Sequence, residues 1–222
     1  MAAPLDPIAP IPGPDPAGSV DPFDLQAQTW DDPAKVDRAR RVAEAILAQA
    51  GPLSGLRALD YGCGTGLLGF ALQPHVGHVT LADRSQGMLA VLRGKIAASG
   101  AGNLAALALD LAEGPLPGLR FDLIATLMAL HHVADTDGIL VRFHALLAPG
   151  GRLCVADLDL EDGSFHGAGA QVHPGFDRVE LAGRMERAGF RAVRFSSPFQ
   201  VLRATAAGER SYSGFLAVAE RG

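Results

Sequence analysis

The sequence predicts an α/β domain built on a mostly parallel β-sheet with helices on both faces. Short apolar runs alternate with segments of helical periodicity through most of the 222 residues, which is typical of parallel strands joined by crossover helices. Apolar residues make up 48% and charged residues 19% of the chain, so a sizeable core can form. The last two apolar runs have no helical segment between them, which indicates an antiparallel hairpin.

The individual elements follow from local patterns. Strands are predicted where short apolar runs are bounded by turn residues, at 56–60, 79–82, 104–109, 121–127, 152–156, 190–195 and 213–219. Apolar positions recur at helical spacing from Pro33, where Asp31 or Asp32 can cap the helix and Gly51 can end it. Further helices are predicted after Gly66, after Ser85 as the capping residue, over 135–147 before Pro149-Gly150-Gly151, and over 180–188 before Gly189.

The chain divides at its first prolines. Seven of the 15 prolines lie within residues 1–22. Proline donates no backbone hydrogen bond and blocks helix and ladder formation, so this segment is predicted to be an extended or disordered tail. A polyproline ligand is the alternative reading of the same residues. Residues 23–222 are predicted to form one domain.

A glycine-rich turn separates the first strand from the helix that follows. Glycines let a backbone approach a ligand closely, and a helix N-terminus offers unpaired N–H groups. The turn fits two patterns: Gly62-Cys63-Gly64-Thr65-Gly66 is GxGxG, whereas Gly64 to Gly69 is the GxGxxG of dinucleotide-binding proteins. Asp83 lies 19 residues past Gly64, which also suits a ribose-binding acid in a nicotinamide enzyme.

Three consecutive predicted strands end in an acid: Asp60, Asp83 and Asp110. The ends of parallel strands line one edge of the sheet, where ligands bind. Asp60 precedes the glycines and would repel a pyrophosphate, but it favours the ammonium and sulfonium of S-adenosylmethionine (SAM). Asp83 can accept hydrogen bonds from both ribose hydroxyls, and Asp110 can accept one from the adenine amino group.

These motifs together resemble those of the class I SAM-dependent methyltransferases. The similar segments are 59–66, 83–89, 108–110, 121–132 and 147–153, in the family's order. The resemblance implies a Rossmann-like, doubly wound seven-stranded sheet in the order 3-2-1-4-5-7-6 with strand seven antiparallel, SAM as cofactor, and a helical segment 23–51 over the cofactor site. The implied cofactor contacts are Trp30, Asp60, Tyr61, Gly62, Cys63, Gly64, Asp83, Arg84, Met88, Asp110, Leu111 and Leu127.

Within that set, Gly62 and Gly64 are expected against the methionine part of SAM, Asp83 on the ribose, and Met88 and Leu111 beside the adenine. Met88 and Tyr61 can equally be core side chains, and Trp30 can simply anchor its segment. Cys63 is expected to contribute its backbone rather than its thiol.

The sequence identifies the site of the methyl acceptor less well, because in-line methyl transfer from a sulfonium requires no fixed catalytic residue. His131 and His132 follow the fourth predicted strand at the cofactor edge, and either could act as general base. The segment 157–176 carries six acids and histidines and is long for a connection. We expect it to be a solvated lid, and no metal is predicted.

Charge and composition disfavour several classes of function. The net charge is −5 without a long basic run, which disfavours nucleic acid, and no apolar run reaches membrane-spanning length. Two isolated cysteines and the lack of a secretory signal pattern predict a cytoplasmic protein. The resemblance is nearest to the ubiquinone and menaquinone biosynthesis subgroup, so a small-molecule acceptor is expected. A nicotinamide-dependent oxidoreductase and a non-catalytic SAM-binding protein are the alternatives.

Overall fold

The computed structural model describes residues 22–112, 114–166, 172–205 and 208–222. Apart from Pro22, the predicted proline-rich tail lies outside the described residues, as do residues 167–171 of the predicted lid. The seven strands are β1 (Arg57–Tyr61), β2 (His78–Asp83), β3 (Leu104–Ala108), β4 (Phe121–Leu127), β5 (Leu147–Leu158), β6 (Phe190–Thr205) and β7 (Gly208–Arg221).

The strands form one sheet in the order β3-β2-β1-β4-β5-β7-β6, which confirms the predicted order. The first five strands are parallel, and β7 runs antiparallel to both β5 and β6. The order reverses at β1, whose neighbours are β2 and β4. In such a sheet, ligands bind in the crevice beside the reversal, at the carboxyl ends of the strands.

The helices lie on both faces of the sheet. They are α1 (Pro22–Gln26), α2 (Pro33–Gln49), α3 (Leu67–Leu72), α4 (Gln86–Ser99), α5 (Thr136–Leu146) and α6 (Arg178–Arg187), with short 3-10 helices at Ala27–Thr29, Gln73–His75 and Leu130–His132. Asp32 rather than Asp31 caps α2, by accepting from Lys35 N, and Ser85 caps α4 as predicted.

The sheet separates two apolar clusters because successive side chains of a strand point to opposite faces. One cluster joins the sheet to α2, α3 and α4, and the other joins it to α5 and α6. Neighbouring residues of β5 show the alternation, since Cys154 belongs to the first cluster and Val155 to the second. No helix among the described residues is long and apolar enough to cross a membrane.

Four strands are longer than predicted: β2 by one residue at each end, and β5, β6 and β7 by more. The terminal hairpin comprises Phe190–Thr205 and Gly208–Arg221, and β5 begins at Leu147 and continues two residues past Ala156. The added hairpin residues are largely polar and exposed. An example is the backbone pair of Arg203 and Arg210, both of which are exposed. Hydrophobic patterning detects only the buried part of a strand, whereas backbone pairing extends into solvent. Pro149, Gly150 and Gly151, which were predicted to stop the preceding helix, lie at a register shift within the β4–β5 pair.

Candidate functional site

The glycine turn after β1 is held by backbone hydrogen bonds to the end of β2. Gly62 N and Cys63 N both donate to Ala82 O, at 2.8 and 3.0 Å. Gly62 and Gly64 have φ values of 67° and 54°, in the left-handed region that favours glycine. A β-carbon at position 62 would lie 2.6 Å from the Cβ of Ala129, so this glycine also permits close packing of the segment that follows β4.

Asp83 ends β2 and fixes the other side of the turn. Its Oδ2 accepts from Gly64 N at 2.7 Å, and its Oδ1 accepts from Ser85 N at 2.9 Å. The carboxylate therefore lies against the glycine backbone, at the position where the sequence places a ribose-binding acid. Hydrogen bonds to a charged acceptor are the stronger kind, so this orientation is well determined.

Trp30 and Met88 border the turn at Gly64. A β-carbon at Gly64 would lie 3.4 Å from Trp30 Nε1 and 3.8 Å from Met88 Sδ. Met88 is buried, and its backbone is tied to the cap of α4 through Ser85 Oγ. Lys35 Nζ lies 4.5 Å from the centre of a Trp30 ring, which is within cation–π range. The structure thus brings both predicted cofactor contacts to the turn.

Two aspartates anchor the segment that contains Trp30. Asp24 Oδ1 accepts from Ser85 Oγ at 2.5 Å and from Gly87 N at 2.8 Å, and these bonds, led by that of Ser85, lower the pKa of Asp24. Asp31 accepts from the Thr65 hydroxyl and from Lys95 Nζ. The segment before α2 is therefore attached to the first turn of α4 and to the glycine turn.

Asp60 is buried beneath the glycine turn, with 1% of its surface exposed. Its Oδ2 accepts from Gly69 N at 2.9 Å, in the first turn of α3, where Gly66 has no side chain to act as a cap. Burial, and to a lesser extent the charge of Asp83, raises the pKa of Asp60 to about 7, although the Gly69 bond opposes this. Asp60 thus supports the glycine turn by holding the first turn of α3 in place.

The raised pKa of Asp60 predicts how the unfolding free energy changes with pH. The pKa of Asp60 is about 7 in the folded protein against 3.8 for an ordinary aspartate, so the folded state binds its proton more tightly than the unfolded state does. The stabilisation is complete below about pH 4 and is lost as pH rises towards 7. Between pH 5.0 and 6.5 the wild type should lose about 2 kcal/mol more unfolding free energy than the D60N variant, measured by urea denaturation.

The D60N side chain keeps an oxygen that can accept from Gly69 N, so the comparison isolates the titration. Parallel changes of unfolding free energy with pH in the two proteins would contradict the assignment.

Tyr61 joins the ends of β1 and β3. It is buried, its ring packs edge-on against Phe143 at 5.3 Å, and its hydroxyl accepts from Leu111 N at 3.1 Å. Burial raises the pKa of Tyr61 to about 12, and the charges of Asp110 and Asp83 act on it in the same direction. The three strand-end loops therefore meet at one edge. Asp110 Oδ1 itself accepts from Ala112 N, within its own loop.

The remaining predicted contacts lie around the same edge. The Cys63 thiol is directed at Gly64 O, and burial raises its pKa well above the usual range, so it is not a nucleophile. Leu127 ends β4 and is partly buried against the core. Arg84 lies close enough to Tyr61 and His132 for its charge to lower the pKa of both groups.

His131 and Asp157 form a buried pair beside the cofactor edge. His131 Nδ1 lies 2.6 Å from Asp157 Oδ1, and both side chains are almost inaccessible, at 1% and 0%. The same carboxylate accepts from the backbone N–H groups of His131 and Leu158, at 3.1 and 2.8 Å. These contacts fix the orientation of the imidazole ring.

His132 lies beside this pair and remains exposed. Desolvation of its ring, together with the charges of His131 and His166, lowers the pKa of His132 to about 4. Its ring packs edge-on against Phe23 at 5.2 Å, and Phe23 in turn packs against Trp30 at 5.8 Å. Phe23 thereby connects the histidines with the segment that borders the glycine turn.

The described ends of the predicted lid are attached to the fold rather than solvated throughout. Asp159 is paired with Arg178 at 2.6 Å, and Asp162 is paired with Arg210 at 2.7 Å. His173 N donates to His131 O at 2.9 Å, which holds this loop against the buried pair.

The sequence predicts no specific role for three residues at this edge. Asp157 is a fourth strand-end acid, but the sequence places it only among the acids of the segment 157–176, because β5 is predicted to stop at Ala156. Met128 has a φ of 55° directly after β4, a strained conformation that no sequence signal predicts. Arg38, on α2, has an Nε atom that is buried without a hydrogen-bond partner in the described part of the chain.

Comparisons with known proteins agree with this geometry. Residues 59–153 match a family model described as a methyltransferase domain. The chain is 41% identical over 111 residues to the ubiquinone biosynthesis O-methyltransferase of Xylella fastidiosa, covering 49% of this chain and 44% of that protein. It is 32% identical over 179 residues to the ubiquinone/menaquinone biosynthesis C-methyltransferase UbiE of Vibrio cholerae, covering 66% and 68%.

Among solved structures, the magnesium protoporphyrin IX methyltransferase of Synechocystis with bound S-adenosylhomocysteine (SAH) has the same fold. Its TM-score is 0.65 at 18% identity, with 92% of this chain and 89% of that chain covered. The chain spans about half the length of the first curated relatives that it matches.

Proposed function

Since this chain belongs to the class I SAM-dependent methyltransferase family, we propose that it transfers the methyl group of SAM to a small-molecule acceptor. The observation that carries the proposal is the carboxylate of Asp83, held 2.7 Å from Gly64 N in a turn bordered by Trp30 and Met88. That arrangement offers a nucleoside a ribose-binding acid next to a backbone that it can approach closely.

The hydrogen bonds of the turn favour SAM over a nicotinamide dinucleotide. A diphosphate in the GxGxxG frame needs free backbone N–H groups. Here the three glycines of that frame already donate within the protein: Gly64 N to Asp83, Gly66 N to Cys63 O and Gly69 N to Asp60. A diphosphate would also lie beside the carboxylate of Asp83, whereas the positive charges of SAM are favoured there.

The cofactor roles follow from this placement. We assign the ribose to Asp83, the methionine part to Gly62 and Gly64, and the adenine to the loop of Asp110 and Leu111 together with Met88. Trp30 and its anchored segment cover the ligand. Tyr61 acts by holding the Leu111 loop in place, since its hydroxyl is already bonded to Leu111 N.

We place the methyl acceptor beside His131 and His132. When bound, SAM supplies a methyl carbon activated by its sulfonium leaving group, so the chain has only to orient the acceptor and take up its proton. His132 is the exposed ring, and its pKa of about 4 makes it a weak base at neutral pH. Such a base assists an acidic acceptor, for example a phenol or an enol, better than an aliphatic alcohol. The unpaired Nε of Arg38 suits an acceptor that also carries a carboxylate or phosphate.

The test is a turnover screen. The full chain is incubated with SAM and a panel of phenols, enols, amines, thiols and alcohols, with and without an acidic substituent, and release of SAH is measured. We expect SAH release with acidic hydroxyl compounds and a product one methyl group heavier by mass spectrometry. Thermal stabilisation by NADH but not by SAH would overturn the proposed activity. So would SAH binding without SAH release in the presence of any compound of the panel.

The N-terminal cover gives a separate prediction. Asp24→Ala removes the bonds to Ser85 Oγ and Gly87 N and should free the segment that carries Trp30. We expect the KM for SAM to rise roughly 5-fold, because the loss of such a capping contact costs about 1 kcal/mol.

Asp177→Ala is the matched control for this variant. Asp177 also accepts from two backbone N–H groups at a helix start, those of Val179 and Glu180 in α6. That variant should lose similar stability without a change in the KM for SAM. Equal KM values in the two variants would show that the anchored segment does not cover the cofactor.

A further inference from the structure

Three imidazole rings converge beside the cofactor edge. His131 and His132 come from the 3-10 helix after β4, and His166 comes from the loop after β5. The ring centres lie 4.1 Å (His131–His132), 4.9 Å (His131–His166) and 5.4 Å (His132–His166) apart. One nitrogen from each ring lies within 4.8 Å of those of the other two.

One of these rings is already oriented as a metal ligand would be. The Nδ1 of His131 is engaged by Asp157 at 2.6 Å, which leaves Nε2 as its ligating nitrogen. Metal-bound histidines commonly donate their other N–H to a carboxylate, which fixes the tautomer and raises the basicity of the ligand. The buried Asp157 therefore matches the outer partner of such a site.

A second ring carries an unsatisfied polar atom. His166 Nε2 is buried and has no hydrogen-bond partner among the residues that the structure describes. A buried polar atom without a partner costs free energy, so its retention calls for an explanation. A metal ion bound by the neighbouring imidazoles would supply the missing partner.

We propose that His131, His132 and His166 bind one divalent transition-metal ion, with Zn²⁺ as the reference metal. Three imidazoles are a ligand set of the kind found in open zinc sites, whereas Mg²⁺ and Ca²⁺ require oxygen ligands. Tetrahedral ligation at about 2.0 Å places the nitrogens about 3.3 Å apart, so a pair at 4.8 Å must close by about 1.5 Å. Because Asp157 fixes the His131 ring, rotation of the His132 and His166 side chains would have to provide this closure.

The position of the cluster suggests what the metal ion would hold. Phe23 contacts both His132 and Trp30, so the three rings lie next to the proposed cofactor cover. Three protein ligands leave a coordination position open. This part of the inference rests on the proposed function, and in it the metal ion replaces His132 as the group that promotes ionisation: the open position would take an oxygen of the acceptor, whose proton passes to solvent.

The test is metal binding by the full chain without an affinity tag, because a polyhistidine tag would itself bind metal. The protein is dialysed against a chelator and titrated with Zn²⁺ by calorimetry, and with Co²⁺ while its visible absorption is recorded. We expect one equivalent of each metal to bind. In H166A and H132A the dissociation constant for Zn²⁺ should rise at least roughly 10-fold.

H75A is the matched control, since His75 is exposed in a 3-10 helix away from the site, and it should bind Zn²⁺ as the wild type does. Circular dichroism of each variant checks folding, and H132A alters an exposed ring that can be removed without loss of the core.

Absence of saturable one-to-one binding, or equal affinities in wild type, H166A and H132A, would overturn the metal site. SAH binding is measured on the same samples. Metal binding without SAH binding would reject the proposed function while retaining the site, and SAH binding without metal binding would do the reverse.

Discussion

Replacing Asp83 by alanine is expected to weaken the binding of SAH and SAM by at least roughly 100-fold. The change removes the acceptor for the ribose hydroxyls, and a hydrogen bond to a charged group contributes about 1.5–3 kcal/mol. It also releases Gly64 N and Ser85 N, which now donate to this carboxylate at 2.7 and 2.9 Å. Isothermal titration with SAH measures the affinity directly, without any knowledge of the acceptor.

The control for this variant is Asp122→Ala. Asp122 also accepts a backbone N–H, that of Arg57, but it lies at the start of β4, on the opposite edge of the sheet. Its replacement should leave the affinity for SAH unchanged. Asp83→Asn should fall between the wild type and Asp83→Ala, because the amide retains one acceptor oxygen. An unchanged affinity for SAH in Asp83→Ala would remove the central support for the cofactor assignment.

Replacing Asp157 by alanine should produce the largest loss of stability, roughly 3–5 kcal/mol of unfolding free energy. Its carboxylate is inaccessible and accepts from the backbone N–H groups of His131 and Leu158 as well as contacting the His131 ring. Alanine leaves these buried groups without a partner. Urea denaturation measures the change, and an unchanged m-value would show that the same surface is exposed on unfolding.

Asp135→Ala serves as the comparison for this loss. Asp135 is an exposed aspartate that caps α5 by accepting from Gly138 N, and its loss should cost about 1 kcal/mol. If Asp157→Ala cost no more than Asp135→Ala, then the buried pair would not be the structural support of the acceptor side.

The glycine turn and the strand-end acids were predictable from the sequence because their signals are local. Glycines at 62 and 64 are needed wherever the backbone takes a positive φ, and the acids at 60, 83 and 110 follow apolar runs that can only be strands. Parallel pairing then brings those strand ends to one edge whatever the details of packing. The sheet order came from the resemblance between several motifs in one sequence order, and the structure confirmed it.

The acceptor side was decided by contacts between distant parts of the chain. Asp157 belongs to a strand because β5 pairs with β7 as far as Leu158, and that pairing depends on residues more than 50 positions away. His166 reaches His131 only because its loop folds back over the end of β4, and Met128 takes a positive φ that nothing in its identity favours.

Local sequence therefore determined the strands and the glycine turn of the proposed cofactor side, since turn chemistry and strand periodicity act over a few residues. Tertiary structure alone decided how deeply Asp60 is buried, and hence that its pKa rises to about 7. It also decided which of the chain's histidines meet. Both outcomes depend on desolvation and on long-range packing, whose free energies are set by neighbours that the sequence does not place next to one another.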